Sequence, residues 1–203
     1  MVPDLLSRFS TKEGYSLYPD VMPFLQRLRE NTGQSRQTHP QRELETNDDH
    51  LQSRWDNIVV GVITNSDDRI PSILRSFGLN VSPRRSNSCE EIAPNDLAAD
   101  IHFVVLSYDV GHEKPDPRIF GAAEVLMAAM LKKKPKASQV FEKLYVGDDF
   151  EKDFIGARDA GWRSVLLDRK GTPRHNVICT LDDLPRWARY SDKNLDEEMS
   201  ERS

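Results

Sequence analysis

Residues 144–162, LYVGDDFEKDFIGARDAGW, decide how the rest of the chain is read. Leu144, Tyr145 and Val146 suit a short buried strand. Gly147 lets the backbone turn sharply at the strand's end. Asp148, Asp149, Glu151 and Asp153 then fall within six positions, and Ile155, Ala157, Ala160 and Gly161 follow at the spacing of a packed helix and its C-cap. Carboxylates this dense repel one another unless a cation, water or a helix N-terminus compensates them. The helix dipole accounts for Asp149 and Glu151. It accounts less well for Asp148, which stands where the strand ends, and the carboxyl ends of strands are where open α/β sheets bind ligands.

At 203 residues the chain is long enough for one sizeable domain, expected over residues 1–190 with a frayed tail over 191–203. With 30% charged against 37% hydrophobic residues it is polar for a globular chain, so part of it is expected to be solvated and irregular. A net charge of -5 argues against broad electrostatic binding to nucleic acid. No apolar run is long enough to span a bilayer, and the opening MVPDLLSRFSTKEG lacks a signal-peptide core. A cytoplasmic protein without a membrane partner is expected. Cys89 and Cys179 stand apart without metal or redox spacing, as thiols in a reducing compartment do. The histidines, His39, His50, His102, His112 and His175, show no metal-ligand spacing either.

The pattern of residues 17–30 predicts a helix capped by Asp20, with Val21, Phe24, Leu25 and Leu28 on one face. Residues 31–56 are almost devoid of apolar side chains before Leu44 and read as a mobile insertion, which Trp55 would pin to the core. IVVGVI, 58–63, reads as a strand covered on both faces. It runs into Thr64, Asn65, Ser66, Asp67 and Asp68, residues suited to a turn and an N-cap, and then into a helix stopped by Gly78. Residues 80–99 read as a second insertion, and IHFVVL, 101–106, as the next buried strand.

In GHEKPDP, 111–117, a proline can open the helix through Ile119, Phe120, Ala123, Leu126 and Met127. Lys114 then lies beside a helix N-terminus, an unfavourable place for a cation unless both face an anion. A solvated loop lysine is the plainer alternative. The run Lys132–Lys136 complements the helix C-terminus and also fits a short nuclear-import signal. A last core strand is expected at 164–168, then a short strand and a helix capped near Asp182 or Asp183. Four apolar strands alternating with helices predict an α/β fold with a mainly parallel sheet. Parallel strands bring their carboxyl ends to one edge, so Thr64, Asn65, Lys114 and Asp148 are expected to converge.

TNSDDR, GHEKPDPRIF and YVGDDFEKDFIGARDAGW, in this order, resemble motifs two, three and four of the haloacid dehalogenase-like (HAD) hydrolase superfamily, with EKPDP closest to its eukaryotic hydrolase-domain members. The resemblance runs from about Leu17 to Leu184. It implies a Rossmann-like three-layer core that binds Mg²⁺ and hydrolyses a small phosphorylated substrate through an aspartyl-phosphate. In that scheme Thr64 donates to the transferring phosphoryl group with Asn65 beside it. Lys114 neutralises its charge, Asp148 holds the metal, and Asp153 helps to hold it directly or through water. Such chemistry depends on fixed donors and cations, because a phosphoryl group spreads negative charge over its oxygens.

One motif departs from the family pattern. Motif one, an apolar strand ending in DxDx[TV], supplies the family's nucleophile, and no Asp of this sequence stands two residues before another. Most of the helical cap is missing as well, so the chain resembles the C-terminal part of the family core, incomplete over 1–190. Three functions compete. The first is a Mg²⁺-dependent phosphatase inactive in this form, and the second a non-catalytic descendant that keeps the pocket for binding or regulation. The third is a receiver-like module phosphorylated by a partner, which the order of these motifs fits less well.

Overall fold

The computed structural model describes residues 8–31, 58–87, 98–131 and 142–188. The expectations for 32–56, the later part of 80–99, the Lys132–Lys136 run and the tail lie outside the described residues. The chain folds as two compact units, one of Met1–Tyr18 with Val59–Ser164 and one of Pro19–Ile58 with Val165–Ser203.

In the first unit, β1 (Gly61–Thr64) and β2 (Phe103–Leu106) pair in parallel, with Gly61 opposite Phe103 and Thr64 opposite Leu106. All four residues of β2 are buried, as its unbroken apolar run predicts, whereas in β1 only Ile63 is. The strand covered on both faces is therefore β2, and β1 starts three residues later than IVVGVI suggests. Gly61 permits the close pairing, because the Phe103 ring lies 2.1 Å from where a Cβ would stand. The other edge of β2 is not bare. Residues 80–87, read as the start of an insertion, run along it: Val81 bridges Ile101, Arg85 bridges Val104, and the Val104 N–H donates to the Arg84 carbonyl at 3.0 Å. Polar composition misled here because Ser82 and Arg84 are buried.

Helix α2 (Ile70–Ser76) carries Pro71 in its first turn, and Gly78, at φ +91°, ends it. The residue at its N-cap is Arg69, without a side-chain cap; Asp67 instead accepts from the Arg69 backbone and guanidinium. A single turn, α3 (Ser107–Val110), leads from β2 to Gly111. The long helix α4 (Pro117–Leu131) opens on a proline as expected and packs on both strands. Its Ile119, Phe120, Ala123, Leu126 and Met130 form the buried stripe that joins Ile63, Phe103, Val105, Ala157 and Trp162 in one core. Strand β3 (Leu144–Gly147) is followed by a π-helical turn, Phe150–Ile155, and helix α5 (Gly156–Asp159). The Arg163 N–H, at the start of β4 (Arg163–Leu167), donates to the Lys143 carbonyl just before β3.

In the second unit, Leu166 and Leu167 of β4 pair in parallel with β5 (Val177–Ile178). Helix α1 (Val21–Asn31) buries Phe24 and Leu25. The Asp20 backbone carbonyl starts this helix, but its carboxylate accepts from the Leu181 N–H at 2.8 Å and from Arg169 at 3.0 Å. The 3-10 turn Leu181–Asp183 is capped by Thr180 rather than by an aspartate, with Asp183 completing a capping box. No helix among the described residues is long and apolar enough to cross a membrane.

Candidate functional site

The site forms within the first unit, where β1 and β3 end. Alternate residues of a strand direct their backbone groups to opposite sides. The Val60 carbonyl accepts from the His102 N–H at 2.8 Å, on the β2 side, which turns the backbone groups of Gly61 and Ile63 the other way. Among the described residues no strand pairs with that edge of β1. The Ile63 carbonyl is instead satisfied by a side chain from β3, the Tyr145 hydroxyl, at 3.0 Å.

Immediately past β1, Asn65 grips the backbone of Lys114. Its Oδ1 accepts from the Lys114 N–H at 2.7 Å and its Nδ2 donates to the Lys114 carbonyl at 3.0 Å. A side-chain amide carries a donor and an acceptor side by side, as a peptide does, so it satisfies both backbone groups of one residue. It ties the loop before α4 to the end of β1.

The Lys114 side chain, 11% exposed, points its ammonium to two partners. It donates to Asp153 Oδ1 at 2.5 Å and to the Tyr145 hydroxyl at 2.8 Å. The Asp153 side chain is 5% exposed. Its second oxygen accepts the Asp149 N–H at 3.0 Å. This arrangement answers the electrostatic objection raised by a lysine near a helix start, since a buried carboxylate compensates it. Of the ammonium's three protons, one has no partner among the described residues.

The π-helical turn brings Asp153 here. The N–H groups of Asp153 and Phe154 both donate to the Asp149 carbonyl, at 2.9 and 3.1 Å. The Asp149 carboxylate caps the turn, accepting from the Glu151 and Lys152 N–H groups. Those bonds, the one to Lys152 foremost, hold Asp149 below the usual carboxylate range. Gly147 lies so close that a Cβ there would meet the Asp153 Cγ at 2.4 Å. Close approach, not backbone conformation, explains this glycine.

Tyr145 was missed as a site residue because an aromatic in a short apolar strand reads as core. Its ring does pack edge-on against Phe120, centroids 5.4 Å apart. Burial above all, with the charges of Asp153 and Asp148, pushes its ionisation far up, so the hydroxyl keeps its proton. A signal was available: its hydroxyl-bearing ring stands three residues before Asp148 in an otherwise apolar strand.

The structure thus joins Asn65, Lys114 and Asp153 directly. Thr64 lies between Ile63 and Asn65, and Asp148 beside Asp149, so both flank the cluster. Asp148 is exposed and makes no ion pair among the described residues.

Mg²⁺ takes hard oxygens in near-octahedral order, usually one or two carboxylates with waters. Asp148 offers such an oxygen. Asp153 already accepts the Lys114 ammonium on one oxygen and the Asp149 N–H on the other, which leaves one lone pair on each for a metal or a bridging water. No group of three or more His, Cys, Asp or Glu suited to a metal occurs among the described residues. The pair expected to hold Mg²⁺ therefore does not form a complete site by itself.

No family model matches the chain. It is similar to a Schizosaccharomyces pombe protein named as a hydrolase, 29% identical over 170 residues, which cover 84% of this chain and 55% of that protein. It is similar as well to the haloacid dehalogenase-like hydrolase domain-containing protein 3 of Danio rerio, 31% identical over 132 residues, 62% of this chain and 43% of that one. The chain spans about half the length of the curated relatives it matches. Among solved structures, a HAD phosphatase from Thermococcus onnurineus aligns over 92% of this chain and 63% of its own, with a TM-score of 0.56 and 20% identity. At that identity the likeness shows the fold, and it is a parallel α/β fold of the Rossmann-like type.

Proposed function

We propose that this chain is a member of the haloacid dehalogenase-like hydrolase superfamily, that its site is of the phosphatase type and receives the phosphoryl group of a small phosphorylated substrate, and that it does not turn that substrate over in this form. The observation that carries this reading is the Lys114 ammonium, fixed at the end of β1 and β3 by Asp153 and Tyr145 with one N–H to give. A fixed, largely desolvated ammonium attracts a tetrahedral oxyanion strongly and pays little reorganisation for it. Thr64 and Asn65 stand beside it in the chain, Thr64 to donate to a phosphoryl oxygen and Asn65 to hold Lys114.

The covalent step needs a nucleophile. An aspartyl-phosphate forms when a carboxylate oxygen attacks phosphorus and the alcohol leaves. The motif that supplies it in the superfamily does not occur in these 203 residues. Asp153 cannot stand in, because its oxygens are engaged. Asp67 accepts from Arg69, and Asp149 caps the π-helical turn. Asp148 belongs to the metal in this reading, and Mg²⁺ would supply further charge neutralisation at the phosphoryl group.

The test is to purify the 203-residue chain and assay p-nitrophenyl phosphate with and without Mg²⁺, beside inorganic phosphate binding followed by ³¹P NMR. Phosphate binding that is lost in Lys114→Met, together with negligible turnover, is expected. Loss of a nucleophile typically removes several orders of magnitude in rate. Turnover by the chain that disappears in Asp148→Asn would show the argument from the missing nucleophile to be wrong. A non-catalytic binding or regulatory role is the second reading, favoured by the same absence of Asp-x-Asp. It predicts phosphate binding with no Mg²⁺ dependence.

A further inference from the structure

We infer that Tyr145 is the positioning residue of the cluster: its hydroxyl aims the Lys114 ammonium and anchors it to β1. The inference rests on reading the site as one for a phosphoryl group, and it gives a role to a residue to which the motif resemblance assigns none. The hydroxyl has one proton and two lone pairs. It receives a Lys114 N–H at 2.8 Å and lies 3.0 Å from the Ile63 carbonyl and 3.3 Å from Asp153 Oδ1. The proton goes to the nearer acceptor, the Ile63 carbonyl, and the ammonium takes the lone pair. Three elements meet on one oxygen: β1 through its backbone, β3 through the ring, and the loop before α4 through the lysine.

Each part of this arrangement has a physical reason. Ile63 turns its carbonyl to the edge of β1 that no described strand covers, and an unpaired carbonyl there would be costly. The ring is fixed by Phe120, so the hydroxyl cannot swing away with its partners. Asp153 alone would leave the ammonium to rotate about one strong contact. A second contact from a rigid ring removes that freedom and fixes where the third N–H points. The Lys114 ammonium also lies 5.4 Å from the ring centroid, near enough for the ring face to add attraction.

The experiment uses the 203-residue chain with ¹⁵N-labelled lysine. The Lys114 ammonium resonance is assigned by its loss in Lys114→Met. In the wild type this resonance is expected to exchange slowly with water and to show a nuclear Overhauser effect to the Tyr145 ring protons. In Tyr145→Phe, which keeps the ring and removes the oxygen, the resonance should shift and exchange faster, and inorganic phosphate should bind about tenfold more weakly, the equivalent of about one hydrogen bond. An unchanged resonance and unchanged phosphate affinity in Tyr145→Phe would overturn the inference. So would absence of the Overhauser effect in the wild type, a measurement that needs no variant to fold. If the Overhauser effect is present but the wild type binds no phosphate, the proposed function fails while the placement of Lys114 by Tyr145 stands.

Discussion

Replacing Asp153 by Asn removes one charge from a pair whose side chains are 11% and 5% exposed, Lys114 and Asp153. The shape is preserved, but the hydrogen-bond account is not. Asp153 accepts from the Lys114 ammonium on one oxygen and from the Asp149 N–H on the other. Asn has a single acceptor oxygen, so whichever way its amide turns, an N–H₂ group faces a donor. Breaking a buried pair from one side costs about 3–5 kcal/mol, because the remaining charge is left uncompensated. With a urea m-value of about 1–3 kcal/mol/M, the unfolding midpoint should fall by roughly 1–5 M, a large part of the stability of an ordinary domain. Lys114→Met should cost less than Asp153→Asn, because the buried carboxylate still accepts the Asp149 N–H. The double variant should be more stable than the sum of the two losses predicts, by about 0.5–3 kcal/mol, since Met leaves no cation for Asn to fail. Urea titrations followed by tryptophan fluorescence measure all four proteins. A midpoint for Asp153→Asn that stays with the parent, or strict additivity in the cycle, would refute the claim that this pair is buried and mutually compensating.

Three further outcomes can be checked with the same purified chain. Gly147→Ala places a Cβ 2.4 Å from the Asp153 Cγ, so it should destabilise by about 1–3 kcal/mol through overpacking and abolish the Lys114 ammonium resonance as the carboxylate is displaced. Asn65→Ala removes both bonds to the Lys114 backbone and should cost about 1–3 kcal/mol in urea unfolding, two hydrogen bonds' worth, while Asn65→Asp, which keeps only the acceptor, should fall between. In the second unit, burial works against the Asp20 carboxylate, but the Leu181 N–H and Arg169 outweigh it and hold its ionisation below the ordinary value. A depressed folded value contributes stability that is complete above the unfolded value near pH 3.9 and is lost as pH falls through the folded one. Asp20→Asn should therefore flatten the acid limb of the stability profile below about pH 4 and leave its shape above pH 5 unchanged, as denaturant midpoints across pH will show.

What the sequence made legible is the order of strands and helices and three of the polar groups at their ends. β2 and α4 announce themselves because burial on both faces and a 3.6-residue stripe leave periodic marks. β1 was misplaced by three residues because a β-branched run shows where a strand is favourable, not where its partner begins, and its partner begins opposite Gly61. Residues 80–87 carry the composition of an insertion yet line β2, because edge pairing uses backbone groups, which composition does not report. The pairing of Lys114 with Asp153 was beyond reach for a related reason. Both residues are individually ordinary, and their meeting depends on how a helical turn after β3 is wound. Spacing offers Asp153 to a metal and says nothing of the ammonium and backbone N–H that its oxygens accept from.

That winding has a consequence for the chain's tolerance of length changes. Between Asp149 and Phe154 the backbone makes one bond from i to i+5, as though a residue had been inserted into an α-helix. Deleting any one residue from 150–152 would let the segment relax to ordinary α-helical winding and move the present Asp153 to the preceding position. An α-helix turns by about 100° per residue, so its carboxylate would swing about a quarter of the way round the helix, off Lys114 and away from the notch over Gly147. A substitution in this turn alters a side chain, whereas a single deletion re-addresses every side chain after it. The stretch between the two aspartates therefore behaves as a ruler, tolerant in its letters and intolerant in its length.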